Sequence, residues 1–600
     1  MAPTAVTESG MGIMRIKLLL LAATAALGGC ATSQSPRQDA AGPVTVKLIA
    51  FNDFHGNLEP PKQTVDHPGP GEGATKVPAG GAAYFASAVD ALRRQNPNHL
   101  VVSAGDMIGA TPLASALFLD EPTIHAMNLI KIDFNAVGNH EFDRGRAELL
   151  RMQKGGCEKN SSRAPCAVEP FPGASFTYLA ANTVTETGDT LFPAYAIRSF
   201  GKGRSEVKVG IIGMTLKETP TLVMPAGVAG LQFRDEADTV NALVPKLKAE
   251  GADAIVLLIH QGVYSRLGYN DQSCSGIEGD LTPILDRLDP AVDLVVSGHT
   301  HNAYVCDYGR INPAKPILLT SAGRYGTMLT DISLTIDPVA NRVTAKKADN
   351  VIVQSEAFTT SRGETPQTDK VPAYGARADV AALVARYAAA AAPVSARAVG
   401  RLSAPALKAS NEAGEHVLGN LIADAHLAAT SAAGAGGAQL ALTNAGGVRA
   451  DLVPAPDGSV SFGQLFTAQP FANMLVVKSF TGRQLRAILE QQFASATNTA
   501  ENPNILSPSH NVRFAYDLSR AAGQRIVLLT VNGQPVRDDA VYRVASNSFL
   551  GGGGDNFTEF REGTNSAGGA ADVEALEAYV AAAGMLTPPA LGRVENRTPK

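Results

Sequence analysis

The sequence predicts a layered α/β protein made of two units joined by a helix. Short β-rich apolar runs alternate with helix-period stretches from Val44 to about residue 355. A polar stretch and an alanine-rich helix follow, and a second alternation of strands and helices runs from about residue 396 to 595. Six hundred residues exceed one ordinary domain, and an apolar fraction of 45% can fill more than one core. A formal charge of −5 in so long a chain gives no ground for a nucleic acid polymer or an anionic membrane surface as the main partner.

The first element is a leader. From Met14, Arg15 and Lys17 precede an apolar run, Leu18 to Leu27, that is too short to span a bilayer comfortably. It ends in Leu-Gly-Gly-Cys, and Cys30 stands where a bacterial lipoprotein is cut and acylated. Residues 1–30 therefore read as a signal peptide with a lipid-anchored Cys30, and a plain secretory signal is the alternative. No other segment is long and apolar enough to be a transmembrane helix. Residues 31–43 read as a tether. The expected location is outside the cytoplasm, membrane-anchored and facing the periplasm or cell surface. Export means an oxidising compartment. Cys157, Cys166, Cys274 and Cys306 remain after Cys30 and allow three pairings. Cys157 with Cys166 closes a short polar loop and leaves Cys274 with Cys306. A zinc-thiolate site is the rival, but no C-x-x-C spacing is present.

In the first unit, residues 44–355, "VTVKLIAF", "HLVVSAG", "IDFNAVG", "VKVGIIGM", "ADAIVLLI", "VDLVVSG" and "PILLTSAG" read as buried strands. "AAYFASAVDALRRQ" and "EADTVNALVPKLKAE" read as helices between them. The stretch "PPKQTVDHPGPGEGATKVPAGG" reads as a Pro/Gly loop, with His67 on the surface. Residues 356–395 form a linker whose helix, "ADVAALVARYAAAAAP", is expected to stop at Pro393. The second unit, 396–600, has helices at "GNLIADAHLAAT", "GRQLRAILEQQF" and "ADVEALEAYVAAAG", and a strand and glycine turn at "AQLALTNAGGVR".

Five strands of the first unit run into polar residues: Asn52-Asp53-Phe54-His55, Gly105-Asp106, Gly138-Asn139-His140-Glu141, His260-Gln261 and His299-Thr300-His301. In α/β sheets, ligands gather beyond the carboxyl ends of strands. One polar strand end is an ordinary turn; five rich in histidine and carboxylate point to a shared centre. Asp53, His55, Asp106, Asn139, His260, His299 and His301 are the candidate metal ligands. Carboxylate, imidazole and amide oxygen suit two divalent ions, zinc or manganese first, then cobalt, calcium or magnesium. Two ions roughly 3.5–4 Å apart need a bridging carboxylate, and Asp106, alone in its motif, is the natural one.

D-x-H, G-D, G-N-H-E and G-H-x-H in this order resemble the calcineurin-like metallophosphoesterases, and "NDFHGN" with "GNHEFD" resembles the bacterial 5′-nucleotidase/UDP-sugar hydrolase family. The resemblance implies a four-layer β-sandwich-type N-terminal domain and a smaller α/β substrate-binding domain. It implies one ion on Asp53, His55, Asp106 and His301, and a second on Asp106, Asn139, His260 and His299. Some relatives carry glutamine where this chain has His301. His140 and Asp143 would be the catalytic dyad, with a charged His140 stabilising phosphoryl oxygens, and Glu141 would support the loop.

In the second unit, "TNAGGVR", "AQPFANML" and "NSFLGGGGDNF" read by themselves as turns, glycine loops and core phenylalanines. The resemblance makes Phe471 and Phe549 a clamp on a nucleobase, Asp555 the ribose acceptor, and Asn444, Arg449 and Asn473 the rest of the pocket. Relatives usually carry an arginine upstream of "LGN"; here Lys408 is the only cation and the candidate phosphate contact. The function implied is an exported, monomeric, two-metal phosphohydrolase that converts 5′-nucleotides to nucleosides in nucleotide salvage, with a hinge at residues 375–395. UDP-sugar or 2′,3′-cyclic nucleotide hydrolysis on the same scaffold, a sulfur-ester hydrolase, and a catalytically inactive nucleotide-binding lipoprotein are the rivals.

Overall fold

The computed structural model describes residues 42–599 apart from 70, 72, 162, 224, 361, 362, 472 and 496. The leader, Cys30 and most of the tether lie outside the described residues. Gly42–Lys600 is one compact unit, and no helix among the described residues is long and apolar enough to cross a membrane.

Two six-stranded sheets form the first part. One runs Arg342–Ile352, Met328–Asp337, Val44–Phe51, His99–Ser103, Phe134–Ala136, Thr177–Leu179. The other runs Ala303–Asp307, Leu318–Ala322, Leu294–Ser297, Ala254–Ile259, Val207–Met214, Tyr195–Phe200. The inner strands of each are parallel, so their carboxyl ends share an edge. Alternation places the side chains. Val46, Leu48 and Ala50 turn into the core between the sheets with Val209, Ile211, Val256 and Leu258. Ile49 and Phe51 turn outward onto helix Ala82–Arg93, and Ile255 and Leu257 onto helices Glu236–Ala249 and Leu281–Arg287. Strands buried on both faces need the near-continuous apolar runs seen in the sequence. The result is four layers, helix, sheet, sheet, helix.

Two segments differ from what the sequence predicts. Residues 60–81 are not only loop: Gln63–His67 and Thr75–Ala79 pair as an antiparallel hairpin, because each side of the Pro/Gly turn carries enough β-branched and long side chains to pair. His67 is half-buried and its Nδ1 meets the Tyr269 hydroxyl at 2.7 Å. The linker helix spans Ala378–Ser395 and passes through Pro393. Pro393 has no amide hydrogen, so the carbonyl four residues before it loses its helical partner, yet the next turn still closes with the Ala396 amide on the Ala392 carbonyl.

The second part holds a five-stranded sheet, Ser507–Pro508, Leu440–Thr443, Val541–Asn547, Met474–Thr481, Thr564–Ala571. A four-stranded sheet, Gln534–Pro535, Ile526–Val531, Val512–Tyr516, Val594–Asn596, shares a core with it. Helix Val417–Thr430 packs on helix Asp572–Ala582. Capping boxes, Ser461 with Gln464 and Thr481 with Gln484, start helices Phe462–Ala468 and Gly482–Glu490. Both disulfides, Cys157–Cys166 and Cys274–Cys306, are formed. Leu113 and Ala116 of the first part share a core with Leu465, Phe466 and Leu421 of the second.

Candidate active site

Every predicted ligand lies just past a parallel strand. Asp53 and His55 follow Val44–Phe51, Asp106 follows His99–Ser103, and Asn139 follows Phe134–Ala136; His260 follows Ala254–Ile259, and His299 and His301 follow Leu294–Ser297. The chain turns sharply to bring them together. Asp53, His55, Asp106, His299 and His301 have φ of 49°, 46°, 51°, 70° and 59°, a left-handed backbone costly for side-chain-bearing residues and concentrated at functional sites. Gly138 is required by close approach: a Cβ there would lie 2.2 Å from Asp106 Oδ1.

Two triads result, Asp53 with His55 and His301, and Asp106 with His260 and His299. His55 Nδ1 meets the carbonyl of Gly109 at 2.8 Å, and His260 Nδ1 that of Ala104 at 2.8 Å. A ring that donates from Nδ1 carries its lone pair on Nε2. His55 Nε2 and His301 Nε2 are 3.1 Å apart, and Asp53 Oδ1 is 3.3 Å from His301 Nε2. Asp106 Oδ2 is 3.0 Å from His260 Nε2 and 3.7 Å from His55 Nε2, so it faces both triads. His260 Nε2 and Asn139 Oδ1 are buried yet make no hydrogen bond. Converging lone pairs and orphaned buried acceptors repel one another unless cations lie among them. The donor set therefore fits a pair of divalent ions, with spacings suited to nitrogen and oxygen ligands sharing an ion. Burial pushes His299 down to about 3 and His301 down to about 4, which keeps both rings neutral.

Glu141 binds the turns rather than the centre. Its two oxygens accept from the amides of Asp106 (2.9 Å), Met107 (2.9 Å) and Gly138 (2.7 Å) and from Asn135 Nδ2 (3.2 Å). His140 Nδ1 lies 3.0 and 2.9 Å from the oxygens of Asp143, and its amide donates to Asp106 Oδ1 at 2.9 Å. Burial opposes charge on His140, but the carboxylates of Asp143 and Asp106 outweigh it and hold its imidazole above the ordinary value.

A cavity of about 350 Å³ opens beside the centre. Asn139, His140, Asp143 and His299 line it from one side, and Asn444, Arg449, Phe471, Asn473, Phe549 and Asp555 from the other. The second part delivers its residues by the same device as the first. Asn444 follows strand Leu440–Thr443, and the start of Met474–Thr481 pairs with the end of Val541–Asn547, Leu475 opposite Asn547. Asn444 Nδ2 donates to Asp555 Oδ2 at 2.7 Å. Lys408 does not line this cavity. It borders another, with Ser410, His416 and Asn504, where burial and the charges of Arg449 and Arg324 lower its pKa. Asn547 was missed by sequence reasoning. It is buried, lines the cavity and donates to Asn444 Oδ1 at 3.0 Å. Its signal, a polar residue closing an apolar strand, is the one that found the metal-side residues.

Residues 46–303 match the family described as calcineurin-like phosphoesterase, and residues 398–562 that described as the 5′-nucleotidase C-terminal domain. Part of the chain is 51% identical over 189 residues to the "Uncharacterized protein in pqq-V 5'region" of Acinetobacter calcoaceticus, covering 30% of this chain and 92% of that one. Endonuclease YhcR of Bacillus subtilis is 28% identical over 509 residues, 84% of this chain; the chain spans 37% of that protein's length. The crystal structure of a 5′-nucleotidase precursor from Thermus thermophilus superposes with a TM-score of 0.70 at 25% identity, covering 92% of this chain and 99% of that one.

Proposed function

The chain belongs to the 5′-nucleotidase family and is a metal-dependent phosphoester hydrolase, and on that premise we propose that it releases phosphate from 5′-nucleotides to give nucleosides. The observation that carries this reading is the single cavity shared by His140, Asn139 and His299 with Arg449, Phe549 and Asp555. The residues assigned to the phosphate and those assigned to the nucleoside face one space.

Asp53, His55, Asp106 and His301 would hold one ion, and Asp106, Asn139, His260 and His299 the other. When bound, two such ions polarise the phosphoryl oxygens and make water a competent nucleophile near neutral pH. The chain's residues do the rest. Asp143 orients His140 and favours its charged form, and the ring, on the cavity wall, stabilises negative charge as it grows on the phosphoryl oxygens. Arg449 supplies planar donors to the phosphate. Asp555 accepts from ribose hydroxyls, with Asn444 holding the carboxylate, and Phe549 stacks on the base. Asn473 closes the pocket. Residues 44–355 form the unit for chemistry, 396–600 the unit for recognition, and the helix between them the joint. Zinc or manganese is the assigned ion pair, and the leader through Cys30 assigns the enzyme to a lipid anchor outside the cytoplasm, where the reaction serves nucleotide salvage.

The test is phosphate release by the zinc- or manganese-loaded protein. The panel holds nucleoside monophosphates, UDP-glucose, 2′,3′-cyclic nucleotides and single-stranded DNA, with His140→Ala beside the wild type. The reading expects monophosphates to be preferred and His140→Ala to lose about 10²–10³-fold in kcat while keeping its metal. Preference for a cyclic nucleotide, UDP-glucose or DNA contradicts the substrate, and no release from any nucleotide contradicts the function.

A further inference from the structure

Phe471 lies against the group that faces the phosphate. Its ring is stacked on that of His140, centroids 5.6 Å apart and planes 15° from parallel. The guanidinium carbon of Arg449 lies 5.9 Å from the centroid of the same phenyl ring. All three residues line the cavity. Other contacts of His140 are Asp143 at Nδ1, Asp106 at the main-chain amide, and the ring of His55, steeply inclined to it with centroids 5.2 Å apart. Rotation of the imidazole about its Cβ–Cγ bond would swing the ring into Phe471, so a parallel aromatic face opposes that rotation alongside the Asp143 hydrogen bond. Phe471 comes from the second part of the chain, between helix Phe462–Ala468 and strand Met474–Thr481.

We propose that Phe471 is a positioning residue for His140, fixing the imidazole plane so that the recognition part of the chain completes the phosphate-facing group of the chemical part. The inference rests on the reading of His140 as that group. It separates two jobs for one side chain. Contact with a base acts on nucleotides alone, whereas holding His140 acts on any phosphate ester.

The experiment uses the full-length, metal-loaded protein with AMP and with p-nitrophenyl phosphate, which has no nucleobase. Phe471→Leu keeps an apolar side chain but no flat face, and Phe471→Tyr keeps the face. The expected result is a loss of about tenfold in kcat on p-nitrophenyl phosphate for Phe471→Leu, with KM changed less than about twofold, and recovery in Phe471→Tyr. A crystal structure of Phe471→Leu should show the His140 ring turned from its place on Asp143. Melting temperature reports folding, and Phe471→Met replaces Phe471→Leu if the latter does not fold. Two results overturn the proposal: an unchanged kcat on p-nitrophenyl phosphate with only the KM for AMP raised, or equal loss in the leucine and tyrosine variants. If His140→Ala keeps wild-type kcat, the reading of His140 fails first and takes the inference with it.

Discussion

His55 and His260 are each anchored at Nδ1 by a main-chain carbonyl, and the carbonyls, those of Gly109 and Ala104, belong to the turns around Asp106. The turns are therefore part of the centre, and Glu141 is what ties them. Glu141→Gln puts an amide NH₂ where two donors now point, so divalent-ion affinity should fall about 10–100-fold by calorimetry, with the KM for AMP little changed at saturating metal. Unaltered affinity would mean that the turns hold themselves. A second residue-scale prediction concerns His426, mid-helix in Val417–Thr430. Both ring nitrogens are buried without a partner, and burial pushes its imidazole down to about 3. Near the ordinary value the unfolded chain takes up a proton that the native state refuses. Stability is thus intact above about pH 6.5 and falls as pH drops toward 3. Between pH 7 and pH 5 the wild type should lose about 2 kcal/mol more unfolding free energy than His426→Leu; equal losses would contradict the assignment. The ligand positions were legible because a polar residue ending an apolar run is visible without coordinates. Asn547 gives the same signal and was passed over because its neighbours, Ser548 and Phe549, look like the start of a glycine loop.

At the scale of elements, the seven strands and the helices read from periodicity are present, because a strand buried on both faces must be apolar throughout. The hairpin Gln63–His67 with Thr75–Ala79 was hidden by proline and glycine, which mark the turn but say nothing of the pairing on either side. The linker helix continues two residues past Pro393, and the amide of Ala396 still reaches the carbonyl of Ala392. The disulfides carry the element-scale prediction. Cys274–Cys306 joins a loop to strand Ala303–Asp307, which begins two residues after His301. Replacing both cysteines by serine should lower unfolding free energy by about 2–4 kcal/mol. Reduction with dithiothreitol should lower the wild-type melting temperature more than the double variant's, which keeps only Cys157–Cys166 to lose. A wild type indifferent to reduction would contradict the role.

For the whole molecule, the shared cavity depends on contacts between residues more than 300 positions apart. Such pairings leave no periodicity, so the resemblance to a family, and not the residue pattern, brought Phe471, Phe549 and Asp555 to the site in the sequence reading. Lys408, the only cation upstream of "LGN", borders a second cavity. If the second part recognises the nucleoside, Phe549→Ala should raise the KM for AMP about 5–100-fold and leave p-nitrophenyl phosphate untouched; equal effects on both would place Phe549 in the fold and not in the pocket. The proposed reaction needs two ions acting together beside His140. Its most direct test is phosphate release from AMP by metal-stripped protein as zinc or manganese is added back in measured equivalents. Activity should rise until two equivalents per chain are bound and then level off. Full activity at one equivalent, or activity independent of metal, would contradict it.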